Sequence, residues 1–170
     1  DDGLTMPALR PFLDKTPTVG ARAYVDEACT IIGDVHIGED ASIWPGTVIR
    51  GDVNHVRIGA RTNVQDGTII HVSHDSPYNK GGYPTIIGEG VTVGHGCIIH
   101  ACTIGDYCLI GMGAIILDGA TVEANAFIAA KTPSDKISYS IGLMTSANFL
   151  GFSFGPVIGG FAAEIVGYRG

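Results

Sequence analysis

Residues 97–122 read CIIHACTIGDYCLIGMGAIILDGATV. Isoleucine recurs at 99, 104, 110 and 116, Val122 closes the run, and every step but the first is six residues. Gly105 and Gly111 follow two of these residues, while Cys97, Cys102, Cys108, Ala114 and Ala120 stand two places before them. A period of six fits neither a 3.6-residue helix nor the alternation of a simple hairpin. It fits a coil in which three short flat strands make one triangular turn of about eighteen residues. The aliphatic side chain points into the prism and the small residue fills the tight inward corner.

The pattern extends towards the N-terminus through Ile37, Ile43, Ile49, Ile58, Val64, Ile70, Ile87 and Val93. Two longer gaps interrupt it, nine residues from Ile49 to Ile58 and seventeen from Ile70 to Ile87. Polar pairs such as Glu39-Asp40 fall at the expected turns, and successive coils should stack at about 4.8 Å. Three of the four cysteines occupy the small inward position, so they read as packing residues rather than metal or redox groups. The repeat resembles the hexapeptide-repeat, left-handed parallel β-helix family. Its handedness runs against the usual right-handed crossover and is implied by the resemblance alone. The expected organisation is an all-β solenoid over 21–130 with a loop insertion at 73–86. A lead-in at 1–20 precedes it, and an apolar, helical tail at 131–170 is foreign to the pattern.

Composition narrows the class. The chain has 170 residues with a formal net charge of -7, which excludes a nucleic-acid footprint. Hydrophobic residues make up 45%, enough for one packed core and too many for a disordered chain. The opening DDGLTMPALRPFLDK has no cationic and apolar leader, and it begins on Asp1, which reads as processing or an incomplete chain. No CxxC pair occurs, so a reducing, cytoplasmic compartment is expected.

The histidines take on meaning in the frame of the coil. His71 follows Ile70 and His100 follows Ile99, 29 residues apart. Removing the eleven extra residues of the long gap leaves eighteen, one coil, so the two imidazoles should stack on one face. The same arithmetic, with three extra residues removed, puts Arg50 one coil below His71. Two imidazoles one rung apart can share a tetrahedral ion with ring nitrogens at about 2.0–2.1 Å. A catalytic zinc takes three protein ligands and keeps one position open. His95 lies towards the neighbouring face, so a third ligand from an adjacent subunit is expected, with a threefold oligomer. His36 and His55 have no such alignment and read as surface residues.

Specific motifs then add a closer resemblance. The stretches IGDVHIGEDASIWPGTVIRGDVNHVRIGARTNVQDGTIIHV and TIIGEGVTVGHGCIIHACTIGDYCLIGMGAIILDGATV resemble the γ-class carbonic anhydrases. The likeness runs from about Arg10 to Ala129, roughly two-thirds of the chain, and rests on IRGD, IGxxTNxQD and GHxxxxH. It implies a homotrimer that binds a divalent metal through His71 and His100 of one subunit and His95 of the next. It implies that Arg50 and Asp52 form an intersubunit ion pair. Gln65 then matches a glutamine that hydrogen-bonds the metal-bound water, with Asn63 and Asp66 beside it. Zinc, iron(II) and cobalt all suit three imidazoles. The implied reaction is reversible hydration of CO2 to bicarbonate. In the best-studied type of the family a glutamate three residues after the first histidine carries the proton. His74 stands there instead, a residue able to shuttle protons near neutral pH, and the missing glutamate implies modest turnover. Two other readings stay open on the same coil: an acyltransferase using coenzyme A, and a non-catalytic, trimeric metal-binding scaffold.

Beyond Lys131 the six-residue pattern stops. Ile137 to Ala163 contains no charged residue, a length that reaches across a bilayer. GFSFGPVIGG at 151–160 resembles the G-x-x-x-G-P-x-x-G-G motif of a transmembrane helix in major facilitator transporters. Three readings follow: a fusion or gene-boundary product ending at Gly170, a single-helix anchor giving membrane contact through 137–163, or a soluble helix packed on the coil.

Overall fold

The computed structural model describes residues 8–128. Sixteen short strands follow one another through this span, with no helix among the described residues. They stack into three parallel flat faces, a left-handed parallel β-helix. The first face contains β1 (Ala8–Arg10), the start of β4 (Thr30–Ile37), the start of β6 (Val48–Ile58), β8 (Ile69–His71), β11 (Ile98–His100) and β14 (Ile115–Ile116). The second holds β2 (Thr18–Val19), the ends of β4 and β6, β9 (Thr85–Ile87), β12 (Thr103–Ile104) and β15 (Thr121–Val122). The third holds β3 (Tyr24–Val25), β5 (Ser42–Ile43), β7 (Asn63–Val64), β10 (Thr92–Val93), β13 (Leu109–Ile110) and β16 (Phe127–Ile128). Pairing begins at Ala8, so the ladder reaches into the stretch read from sequence as a lead-in.

The register turns the sequence period into a core. On the first face Ile31, Ile49, Ile70, Ile99 and Ile116 form one inward column. On the second, Ile37, Ile58, Ile87 and Ile104 do the same. All of these are buried, and each fully buried aliphatic side chain contributes about 1.5–3 kcal/mol. The inward corner sites hold Ala41, Thr47, Thr62, Thr68, Cys97, Cys102, Cys108 and Ala114. There the hydroxyls bond the next coil's backbone: Thr62 donates to the Gly88 carbonyl at 2.7 Å and Thr68 to that of Gly94 at 3.1 Å. The four cysteines are unpaired and buried. Burial pushes the Cys102 thiol up to about 11, so it packs as a neutral group.

Two departures from the period shape the site. The nine-residue gap is absorbed in β6, where residues 52–55 bulge out opposite Asp34 at the end of the first face, at the register shift between Gly33 and Val35. Gly33 takes φ +79°, and a Cβ there would stand 2.3 Å from the Gly51 carbonyl oxygen. Glycine therefore lets the two coils close up beneath Asp52. The seventeen-residue gap becomes a loop between β8 and β9. Asn54, on the bulge, holds its base by donating to the carbonyls of Ser73 at 3.3 Å and Gly81 at 3.1 Å. The expectations for 131–170, including the transporter-like motif, lie outside the described residues. Among the described residues no helix is long and apolar enough to cross a membrane.

Candidate metal centre

His71 and His100 are direct register partners on β8 and β11. Both end their strands, where the alternation of in and out has turned the side chain away from the core. Their rings meet edge to face with centroids 5.0 Å apart, and Nδ1 of His71 lies 3.0 Å from Nε2 of His100. Nitrogens bound at 2.0–2.1 Å to a tetrahedral ion stand about 3.3 Å from each other, so the pair is already near the spacing of two ligands. The far nitrogen of each ring is engaged by a carboxylate. His71 Nε2 is 3.0 Å from Asp52 Oδ1, and His100 Nδ1 is 2.5 Å from Asp118 Oδ1. A ring that turns one nitrogen to a carboxylate and the other to a shared space is arranged as a metal ligand is. The residues present therefore fit a divalent cation.

Electrostatics point the same way. Burial pushes the His71 pKa below its ordinary 6.5, Asp52 opposes this, and Arg50 and His100 push it further down. The ring is thus held neutral, the form in which imidazole ligates. For Asp52, burial acts upwards, but hydrogen bonds from His71 and Arg50 prevail and hold the carboxyl below its ordinary 3.8. Arg50 bonds Asp52 through Nη1. It is therefore Asp52, rather than Arg50, that meets His71 from the coil below.

His95 is elsewhere. It follows β10 in the turn that enters the first face, with its Nδ1 3.0 Å from Asp66 Oδ2 on the neighbouring coil. Asn63, Gln65, Asp66, His95 and Trp44 line a surface cavity of about 280 Å³. Asn63 is fixed by donating to the Ser42 hydroxyl at 2.7 Å, and Trp44 packs against Tyr24 with ring centroids 5.3 Å apart. The candidate residues thus fall into two groups at opposite edges of one face. His71, His100, Arg50 and Asp52 sit where the chain leaves it; His95, Gln65 and Asp66 sit where it enters, with Asn63 beside them on the adjoining third face. Within one chain no three His, Cys, Asp or Glu side chains among the described residues converge to hold an ion.

His74 stands exposed on the loop after β8. His36 is also exposed and meets the Thr18 hydroxyl at 2.9 Å. His55, by contrast, is half-buried and lines a second cavity of about 240 Å³ with Asp52, Asp34 and Lys15. Asp118 and Trp44 were not among the residues singled out from sequence. The offset to the next coil is seventeen residues there, so Leu117 rather than Asp118 follows the register of His100, and the spacing carries no signal for Asp118. Trp44 has only its place beside Pro45 in the turn after β5.

Comparison with known proteins agrees with this fold. The family described as Bacterial transferase hexapeptide (six repeats) matches residues 16–51, 84–116 and 101–132, together half of the chain. Protein YrdA of Escherichia coli is 55% identical over 86 residues, covering 51% of this chain and 47% of YrdA. Gamma carbonic anhydrase 1, mitochondrial, of Arabidopsis thaliana is 49% identical over 86 residues, covering 51% of this chain and 31% of that protein. The chain thus spans less than half the length of these curated relatives. The crystal structure of a hexapeptide transferase family protein from Anaplasma phagocytophilum superposes with a TM-score of 0.65. It is 43% identical, covering 73% of this chain and 69% of its own. The buried columns, the flat parallel faces and these matches together place the chain in the hexapeptide-repeat family.

Proposed function

We propose that the chain is a metal-dependent enzyme of the γ-carbonic anhydrase type. It hydrates CO2 reversibly to bicarbonate at sites completed between the subunits of a homotrimer. The observation that carries this reading is the facing pair of His71 and His100 with His95 at the opposite edge of the same face. The similarity to a protein named as a gamma carbonic anhydrase supports it. Two unlike edges that must meet make a heterologous contact, and such contacts close into rings when the rotation allows. In a threefold ring His95 of each subunit faces His71 and His100 of the next.

A divalent cation on three imidazoles, with zinc, iron(II) and cobalt as candidates, supplies the Lewis acidity that brings the ionisation of water towards pH 7. The protein's own residues do the rest. Asp52 and Asp66 hold the rings of His71 and His95, and Arg50 offsets the charge of Asp52. The Gln65 carboxamide, beside His95, orients the attacking water, with Asn63 next to it. His74, exposed beyond His71, passes the released proton to solvent.

The test is CO2 hydration by the metal-loaded protein, followed by stopped flow with a pH indicator. The reading expects a rate that disappears on chelation and returns with zinc. Full metal loading with no acceleration would reduce the site to a binding scaffold. Acyl transfer from a coenzyme A donor is the second reading, favoured by the transferase description of the family. It makes no use of the facing His71–His100 pair or of His95, and acetyl transfer to an amine that survives chelation would support it instead.

A further inference from the structure

Each of the three candidate ligands is met by one aspartate from a neighbouring coil: His71 by Asp52 at 3.0 Å, His95 by Asp66 at 3.0 Å and His100 by Asp118 at 2.5 Å. Asp52, His71, His100 and Asp118 thereby form a column through consecutive rungs, carboxylates outside and imidazoles inside. The outermost member has no role in the function read so far. The geometry points to Asp118 as the positioning residue of His100, an inference that rests on the metal-site reading above.

Local structure explains why Asp118 reaches. It sits in the turn after β14, one place before Gly119, which takes φ +72°. The Gly119 amide donates to the Ala101 carbonyl at 2.8 Å, pinning this turn to the chain just beyond His100. Asp118 is thus fixed at the end of the rung above, with its carboxylate over the imidazole. Its side chain is 46% exposed, against 30% for His100, so the carboxylate forms the solvent side of the pair and the ring its inner side. No other side-chain hydrogen bond of Asp118 competes for it among the described residues. A carboxylate on the far nitrogen fixes the tautomer and the ring plane and raises the basicity of the near nitrogen. Asp118 therefore sets which nitrogen of His100 faces His71.

The test uses the 170-residue chain, cobalt(II) alone as probe, and chelator competition to read affinity. Asp118→Ala is expected to weaken cobalt binding about 10–100-fold, the usual scale for losing such a partner. It should also change the cobalt visible absorption spectrum. Asp118→Asn, of equal size and still able to accept a hydrogen bond, should recover part of the loss. Asp14→Ala, which removes an exposed carboxylate beside Lys15, should leave affinity unchanged. Equal affinity and spectrum in wild type and Asp118→Ala overturn the inference. If the wild type takes up no cobalt, the metal reading itself fails, and metal-free protein decides on Asp118. Long-range 1H–15N correlation of the metal-free protein, at a pH where both rings are neutral, should find His100 with its proton on Nδ1 in wild type and shifted towards Nε2, facing His71, in Asp118→Ala. An unchanged His100 pattern overturns the role.

Discussion

The two edges of the first face carry the same residue types in opposite states of readiness. At the leaving edge His71 is tightly packed, its side chain 19% exposed, and its ring is fixed by His100 on one side and Asp52 on the other. At the entering edge the His95 side chain is 54% exposed and Asp66 is its one side-chain partner among the described residues. One edge is a socket in which two imidazoles already face each other, and the other is an arm that reaches outward. The regular coil builds both. Strand ends stacked in register produce the socket, and a turn lacking an apolar requirement produces the arm. Among the described residues neither edge brings three ligating side chains together, and the proposed head-to-tail assembly would join the two.

The sharpest way to break this comparison is to remove one imidazole from each edge. His100→Ala and His95→Ala should each take metal content from about one ion per chain to near zero, since three protein ligands define such a site. Elemental analysis of the purified proteins reads it directly. Full occupancy in His95→Ala would detach the entering edge from the metal.

Gln65→Ala refines the entering edge. It removes a donor rather than a ligand, so metal content should persist while CO2 hydration falls about 100-fold, the scale for losing one oriented polar donor. A parallel fall in metal content would make Gln65 structural.

The leaving edge should reveal itself through pH. An unfolded imidazole titrates near 6.5, and burial holds His71 below that in the fold. Below about pH 6.5 the unfolded chain therefore takes up a proton that the folded chain refuses, and stability falls with falling pH until the folded ring also protonates. Asp52 adds the same sign lower down: its contribution is present above 3.8 and is lost as the pH falls through its lowered folded value. Urea midpoints of the metal-free protein should decline between pH 7 and 5, and His71→Ala should flatten that slope. An unchanged slope would mean that the socket holds no neutral imidazole.

The smallest expected effect concerns the interior between the edges. Cys102 is buried, with its thiol pushed up to about 11, and supplies no ligand. Cys102→Ala should leave metal stoichiometry unchanged, whereas a loss of one ion per chain would bring a thiolate into the site.

Much of this was legible in sequence because the coil converts spacing into position. The step of 29 residues from His71 to His100, less the inserted loop, gave one rung, and the rings are register partners. The inward columns were legible for the same reason, as each aliphatic residue must face the prism. Contacts made by side chains across the bulge were not. Arg50 does follow Ile49, the register partner of Ile70, yet it is Asp52, on the bulge at 52–55, that bonds His71. Asp118 escaped notice because it lies two residues past Ile116 rather than one, and in the turn after a strand the spacing no longer dictates where a side chain points. His55 read as a surface residue, and the same bulge half-buries it.

The most direct test of the central claim is complementation between the edges. His71→Ala, with a broken socket, and His95→Ala, with a broken arm, are co-expressed in equal amounts and purified as mixed oligomers. In a threefold ring of randomly mixed subunits about a quarter of the interfaces pair an intact socket with an intact arm. Metal content should then recover to about a quarter of the wild-type value, although neither variant alone binds any. Mixed oligomers as empty as the single variants, or a single variant that fills unaided, would contradict a site shared between subunits.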